Sequence, residues 1–392
     1  MLLEEKLIFS SSGRSNYRIP SVIFTKHGTA LAFSNDRKDS ISDCAAEMSV
    51  VLSRRAKDGE WSEPRTLVFA KDVACIIGSA VYDADTDEAI VFFRRCFVRN
   101  EFVAYSEDDI KRMDKEDELR ARNMGIRLGD FVLKSIDDGL TWKEEPLALE
   151  AVPYTHIDGS TRKAAGFTHG AAHGIQLKRG EHDGRLVCPS RIFEGSYKSL
   201  SEICTHVYNN AIYSDDHGKT WRASKPVQIG TGEGTLIERG DGSILYNSRA
   251  YFGDGKRYLA TSIDGGETYG DFRTDGFLTE EINCGCNASF LRVTKEELGA
   301  AASFLPSGAD SITLFVNPRA KTRRNMTVAV SFDDAENWHT SRVIFDGECA
   351  YSSLDYSSRD GIFCLIYEKG KESDPYALGI SAVIFDLEWL LS

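Results

Sequence analysis

No stretch of about 18 apolar residues occurs in the chain, so no segment reads as a membrane-spanning helix. Positive charge is in short supply: 47 lysines and arginines stand against 60 aspartates and glutamates, a net charge of −13. A field of that sign repels nucleic acid and anionic membrane surfaces, and neither is expected as a partner. An anionic ligand would need a local cationic pocket working against it. Cysteines number nine, an odd count without a repeating spacing, which reads as reduced buried thiols rather than a disulfide framework. Cys284 and Cys286 are too close for the usual zinc pair, and no histidine cluster joins them, so no metal is expected. His169 and His173 lie in a Gly/Ala-rich stretch and read as rim residues. The opening Met-Leu-Leu-Glu-Glu-Lys puts charge where a signal peptide needs its apolar run. A cytoplasmic protein is expected, or a secreted one if the sequence given lacks its leader.

What the chain does have is repetition. Ser135-Ile-Asp137-Asp138-Gly139-Leu-Thr141-Trp142 returns at Ser214 to Trp221, again at Ser262 to Tyr269, and in decayed form at Ser331 to Trp338. A remnant stands at Asp58 to Trp61. Aspartate and glycine supply a turn, the carboxylate accepting backbone N–H groups and glycine taking positive φ, while the aromatic residue pins the hairpin. The copies start 79, 48 and 69 residues apart, as a fixed unit with variable loops would. Between them lie short alternating apolar runs: 29–33, 48–53, 89–93, 185–189, 243–247, 311–316 and 361–367. These read as strands. Strands at this spacing with recurring turn chemistry predict an all-β chain, a six-bladed β-propeller of four-stranded antiparallel blades. Residues 1–392 are read as a single domain, with a charged, helix-like insertion near 106–122.

Other motifs carry chemistry. Tyr17-Arg18-Ile19-Pro20 is followed by a loop with Arg37, Asp39, Asp43 and Glu47. Glu233, Asn247-Ser-Arg249, Arg323-Arg-Asn-Met, Cys349-Ala-Tyr351-Ser and Tyr367-Glu368 come later. In this order, and with the aspartate turns, the chain resembles the sialidases, the exo-α-neuraminidase glycoside hydrolases, over almost its full length. The resemblance implies a retaining exo-glycosidase that releases terminal sialic acid, or a related nonulosonic acid, from glycoconjugates. Arg18, Arg249 and Arg323 match the triad that holds the substrate carboxylate, for which a planar bidentate guanidinium is suited. Arg324 is a rival for the last place. Tyr351 matches the nucleophile, which replaces a carboxylate that the substrate's own carboxylate would repel. Glu233 matches its base, with Glu238 as rival, because a phenol needs one at neutral pH. Asp43 matches the acid/base, with Asp39 as rival, Arg37 a second sugar-facing arginine, and Glu368 the carboxylate orienting Arg18. Glu47 is either a supporting partner of this loop or a solvent-facing glutamate.

Three places depart from the family pattern: Ser34-Asn35-Asp36, Ile77-Gly78, and Pro189-Ser-Arg191-Ile-Phe193. Arg191 is expected to face the substrate rim or be solvated. The mechanism needs only water, so no cofactor is expected. The alternative is a catalytically inactive glycan- or protein-binding propeller, against which the joint presence of Tyr351, Glu233 and Asp43 weighs.

Overall fold

The computed structural model describes residues 2–41, 47–97, 127–156, 158–164, 166–168, 172–193, 207–279, 282 and 285–392. The charged segment near 106–122, Asp43 and His169 lie outside the described residues.

Strands dominate and pair almost entirely antiparallel. Eight form one sheet, in the order Ser15–Phe24, Ala30–Lys38, Met48–Arg55, Val73–Asp83, Glu88–Phe97, Arg127–Ser135 and Lys143–Pro146, with Arg65–Val68 on the flank of Met48–Arg55. Its two halves are joined by a single parallel contact, Met48 to Ala74. A second sheet centres on Leu186–Phe193, Val207–Ser214 and Trp221–Ala223. A third holds Thr231–Glu238, Ile244–Ala250, Lys256–Ser262 and Gly270–Thr279. The last runs through Ser289–Thr294, Ser311–Pro318, Arg324–Ser331, Thr340–Ser357, Ile362–Lys371 and Asp374–Asp386. It ends on Leu2–Ser10, the first strand of the chain, which pairs antiparallel with the last (Leu7 opposite Ser381). A small hairpin, Val152–Thr155 with Thr161–Ala164, stands apart.

The core is a series of apolar layers between successive sheets. Phe92 and Val132 of the first sheet meet Leu186, Ile212 and Trp221 of the second. Val187 and Tyr213 meet Leu236 and Tyr246 of the third. Ile237 and Leu245 meet Phe290 and Phe315 of the last. Ile366 and Ile384 then meet Val22 and Ala32 of the first. The inner strands of these sheets are thus apolar on two faces, as strands between stacked sheets must be.

The repeated turns sit where the motif predicts, and their bonds repeat. Ser135 Oγ donates to Asp137 Oδ1 at 2.8 Å, and Gly139 N to Ser135 Oγ at 3.0 Å. Thr141 donates through N and Oγ1 to the same carboxylate at 2.9 and 2.6 Å. At the second copy the corresponding distances are 2.8, 2.9, 2.8 and 2.6 Å. Burial works to raise these aspartates, yet the bonds from threonine and serine hold Asp137 and Asp216 below their ordinary value. The aromatic residue reaches across to the preceding strands: Trp142 packs edge-on to Phe33 at 5.6 Å and Trp221 to Phe92 at 4.9 Å.

Candidate active site

Buried polar side chains gather where several strands begin or end. Arg18 sits early in Ser15–Phe24, at a register shift before Ser21. Its Nε donates to Glu368 Oε1 at 2.7 Å and its Nη2 to Oε2 at 3.2 Å. Glu368 has no exposed surface, and it also accepts the backbone N–H groups of Ile19 at 2.9 Å and Tyr351 at 3.1 Å. Desolvation opposes the charge on Arg18, but Glu368 outweighs it and the guanidinium stays firmly protonated. One carboxylate therefore fixes an arginine and the backbone beside the candidate nucleophile.

Tyr351 lies within Thr340–Ser357, buried with its hydroxyl pointing at Glu233. Tyr351 Oη donates to Glu233 Oε1 at 2.7 Å. Arg249, at the end of Ile244–Ala250, donates from Nη1 to Glu233 Oε2 at 2.5 Å and to Tyr351 Oη at 2.9 Å. Arg18 and Arg323 stand over the Tyr351 ring at 5.2 and 5.4 Å from its centroid. Burial, then Glu233, pushes the phenol well above its ordinary value, against the pull of Arg249, Arg323 and Arg18. At neutral pH the hydroxyl keeps its proton, and only transfer to a base makes it a nucleophile. Glu233 is at hydrogen-bond distance to receive it.

The rivals separate cleanly. Glu238 accepts the Lys178 N–H at 2.9 Å at the far end of its strand, whereas Glu233 is the carboxylate on Tyr351. Arg324 points to Asp346 and Glu348, each at 3.9 Å, while Arg323 reaches Tyr376 Oη. Asp39 is exposed, held by Arg14 at 2.7 Å and below its ordinary value through that bond. Arg37 is buried on Ala30–Lys38 and donates to the Ile41 carbonyl at 2.6 Å. Glu47 accepts the Asp72 N–H at 2.8 Å. His173 is buried, not a rim residue, with Nδ1 at 3.0 Å from the Gly174 carbonyl oxygen; it lines a cavity of about 300 Å³ bordered by Glu238.

The departures from the family pattern are structural at two places. Asn35 is buried and ties two strands together, donating to the Ser49 and Cys75 carbonyls at 3.0 and 2.8 Å and accepting the Ile77 N–H at 3.1 Å. Gly78 lies so close to its neighbours that a Cβ would fall 2.2 Å from Thr168 Oγ1. The third differs in kind: Arg191 is turned inward, its Nη1 donating to Tyr251 Oη at 3.2 Å and lying 3.8 Å from Glu233 Oε1.

Sequence reading misses Tyr376 and Tyr251. Tyr376 stacks under Arg18, 4.0 Å from guanidinium carbon to ring centroid, and binds Arg323. Tyr251 supports Arg249 at 4.9 Å. Nothing local marks Tyr376; Tyr251 stands two residues after Arg249, where an aromatic on the same strand edge is a usable signal. Among the described residues, Asp83, Asp85 and His217 come within range of a shared cation. Asp83 already accepts from Gln176 Nε2 at 2.9 Å and lies 2.8 Å from His217 Nδ1.

Residues 29–364 match the model of the BNR repeat-like domain. The chain belongs to that family. Among curated relatives, a sialidase of Micromonospora viridifaciens is 31% identical over 385 residues, covering 96% of this chain and 52% of the relative. The chain thus spans about half the length of that relative. An exo-alpha-sialidase of Aspergillus fumigatus is 26% identical, covering 97% of this chain and 86% of its own. Among solved structures, the intramolecular trans-sialidase from Ruminococcus gnavus superposes with a TM-score of 0.71 at 17% identity, covering 98% of both chains. The fold is therefore that of the sialidases, a β-propeller.

Proposed function

We propose that this member of the BNR repeat-like family is a retaining exo-sialidase, releasing terminal sialic acid or a related nonulosonic acid from sialylated glycans. The observation that carries the reading is the buried Tyr351 hydroxyl, bonded to Glu233 at 2.7 Å and surrounded by Arg18, Arg249 and Arg323. Similarity to relatives named sialidase supports it.

In this mechanism the three arginines bind the carboxylate on the anomeric carbon. Glu233 takes the phenolic proton as Tyr351 Oη attacks that carbon, and Asp43 protonates the departing glycosidic oxygen. The tyrosyl–glycosyl intermediate is then cleaved by a water that Asp43 deprotonates, and Tyr351 recovers its proton from Glu233. Two displacements leave the anomeric configuration unchanged. A neutral, weakly acidic phenol can approach a carboxylate-bearing carbon where a second carboxylate is repelled. The sheets divide, in this reading, into six four-stranded blades. The eight-stranded sheet splits at its single parallel contact, Thr340–Ser357 serves two blades, and Leu2–Ser10 completes the last.

Hydrolysis of a fluorogenic α-ketoside of N-acetylneuraminic acid tests the proposal, with Tyr351→Phe assayed beside the unaltered protein. Release by the unaltered protein and a loss of at least about 10³-fold in kcat for the variant is expected. If N-acetylneuraminic, deaminated and other nonulosonic acid glycosides all stay intact with folded protein, the reading fails in favour of a binding propeller. Product analysis on an active protein separates hydrolysis from transfer.

A further inference from the structure

Arg191 belongs to Leu186–Phe193, a strand of a different sheet from that of Glu233. Its side chain is only 13% exposed, and Glu233 is 5% exposed. The two oxygens of Glu233 have different surroundings. Oε2 takes the bond from Arg249 at 2.5 Å. Oε1 takes the Tyr351 hydroxyl at 2.7 Å and is the oxygen that Arg191 Nη1 approaches to 3.8 Å. Tyr251 Oη, at 3.2 Å from the same Nη1, holds the Arg191 guanidinium, while the Tyr251 ring lies beneath Arg249. Arg18 and Arg323 stand over the Tyr351 ring. The Arg191 cation is thus directed at the one carboxylate oxygen to which the phenolic proton must move.

We propose that Arg191 is a positioning residue for the reaction, keeping Glu233 ionised toward lower pH and so setting the acid side of the working range. The proposal rests on the assignment of Glu233 as the base of Tyr351. A cation this close to a largely desolvated carboxylate disfavours its protonation, and the bond from Arg249 goes to the other oxygen. Arg191 then trades some basicity of Glu233 for availability: the base is weaker, but remains empty of protons in a more acidic medium. Tyr251 links the two arginines, so that both guanidiniums are placed by one side chain.

The test compares the pH profiles of kcat/KM for the unaltered protein, Arg191→Gln, Arg191→Lys and Tyr251→Phe. Arg191→Gln should move the acid limb upward by about one pH unit, lowering the rate about tenfold below the limb. Arg191→Lys should restore most of the original limb, and Tyr251→Phe should give a smaller upward shift. An unmoved limb in Arg191→Gln overturns the proposal, and an unmoved limb with a raised KM assigns Arg191 to substrate contact instead. A second measurement needs no turnover: the carbon-13 carboxyl resonance of Glu233, assigned through Glu233→Gln, followed against pH. Its midpoint should rise by about one unit in Arg191→Gln. If it stays in place, the proposal is wrong whether or not the protein is active. If it rises in a protein inert toward every nonulosonic acid glycoside, the electrostatic link stands and the sialidase reading is what fails.

Discussion

Glu368 gathers four donors on two oxygens: two guanidinium N–H groups of Arg18 and the backbone N–H groups of Ile19 and Tyr351. Ile19 has φ of 64°, a conformation that β-branched residues rarely adopt, and the bond to Glu368 helps to hold it there. The carboxylate therefore acts on both the Arg18 guanidinium and the backbone of Tyr351. Glu368→Gln leaves Arg18 buried without its counter-charge, and the stability loss should be about 3–5 kcal/mol. Urea denaturation measures it, and an unchanged midpoint would show that Arg18 finds another partner. Much of this was legible beforehand: Arg18, Glu233, Arg249, Arg323, Tyr351 and Glu368 come together as the motif order implied. Arg191, expected to face the substrate rim or be solvated, is largely buried and approaches Glu233. A guanidinium's direction depends on what stands opposite it in another sheet, here Tyr251 and Glu233, which strand periodicity cannot reveal.

Among the elements, the aspartate turn was the easiest to read because nearly all its bonds lie within seven or eight consecutive residues. Its glycine has a further, non-local constraint. Gly218 has φ of 72°, and a Cβ there would lie 2.5 Å from Ile90 Cδ1 of the neighbouring sheet. Gly139 meets Leu31 in the same way at 2.6 Å. In the decayed copy Ala335 takes the position with φ of 64°, and its methyl packs among Ile237, Leu245 and Phe290. Gly218→Ala should therefore cost at least about 1–2 kcal/mol through backbone conformation alone, with the clash added. A thermal melt checks it; a loss well below that range would mean the turn shifts away from Ile90. Strands were legible where a short, mostly apolar run stands out, as at 89–93 and 311–316. Thr231–Glu238 was not, because Thr-Gly-Glu-Gly-Thr-Leu-Ile-Glu is buried almost throughout, polar residues included, and has no period of two.

For the molecule as a whole, the pairing of the first strand with the last ties residues 369 to 383 positions apart (Ser10 to Gly379, Leu2 to Phe385). Such a long-range seam contributes late and cooperatively, since its loop-closure cost comes before its contacts form. Leu2–Ser10 also brings Ile8 and Phe9 into the layer shared by the first and last sheets. Deleting residues 2–10 should expose the edge of Asp374–Asp386 and lower the melting temperature by several degrees or more, with aggregation on heating. Calorimetry and light scattering read both, and an unaltered melt would show the seam to be dispensable. Closure of this kind could be inferred only through the resemblance to a propeller. No local pattern in Leu-Leu-Glu-Glu-Lys-Leu-Ile-Phe-Ser names its partner, because pairing across the whole chain leaves no short-range trace.

The same seam determines where the chain's ends leave the molecule. Tyr376, at one end of Asp374–Asp386, stacks on Arg18, and Phe385 at the other end stands opposite Leu2. At about 3.3 Å per residue, that separates Leu2 and Phe385 from Tyr376 and Arg18 by roughly 30 Å along the strand. A tether attached at either terminus, to a surface, a second module or a bead, would emerge side by side with the other on the face remote from the pocket. Immobilised in that way, the protein would keep Arg18 and the residues around it on the side away from the anchor.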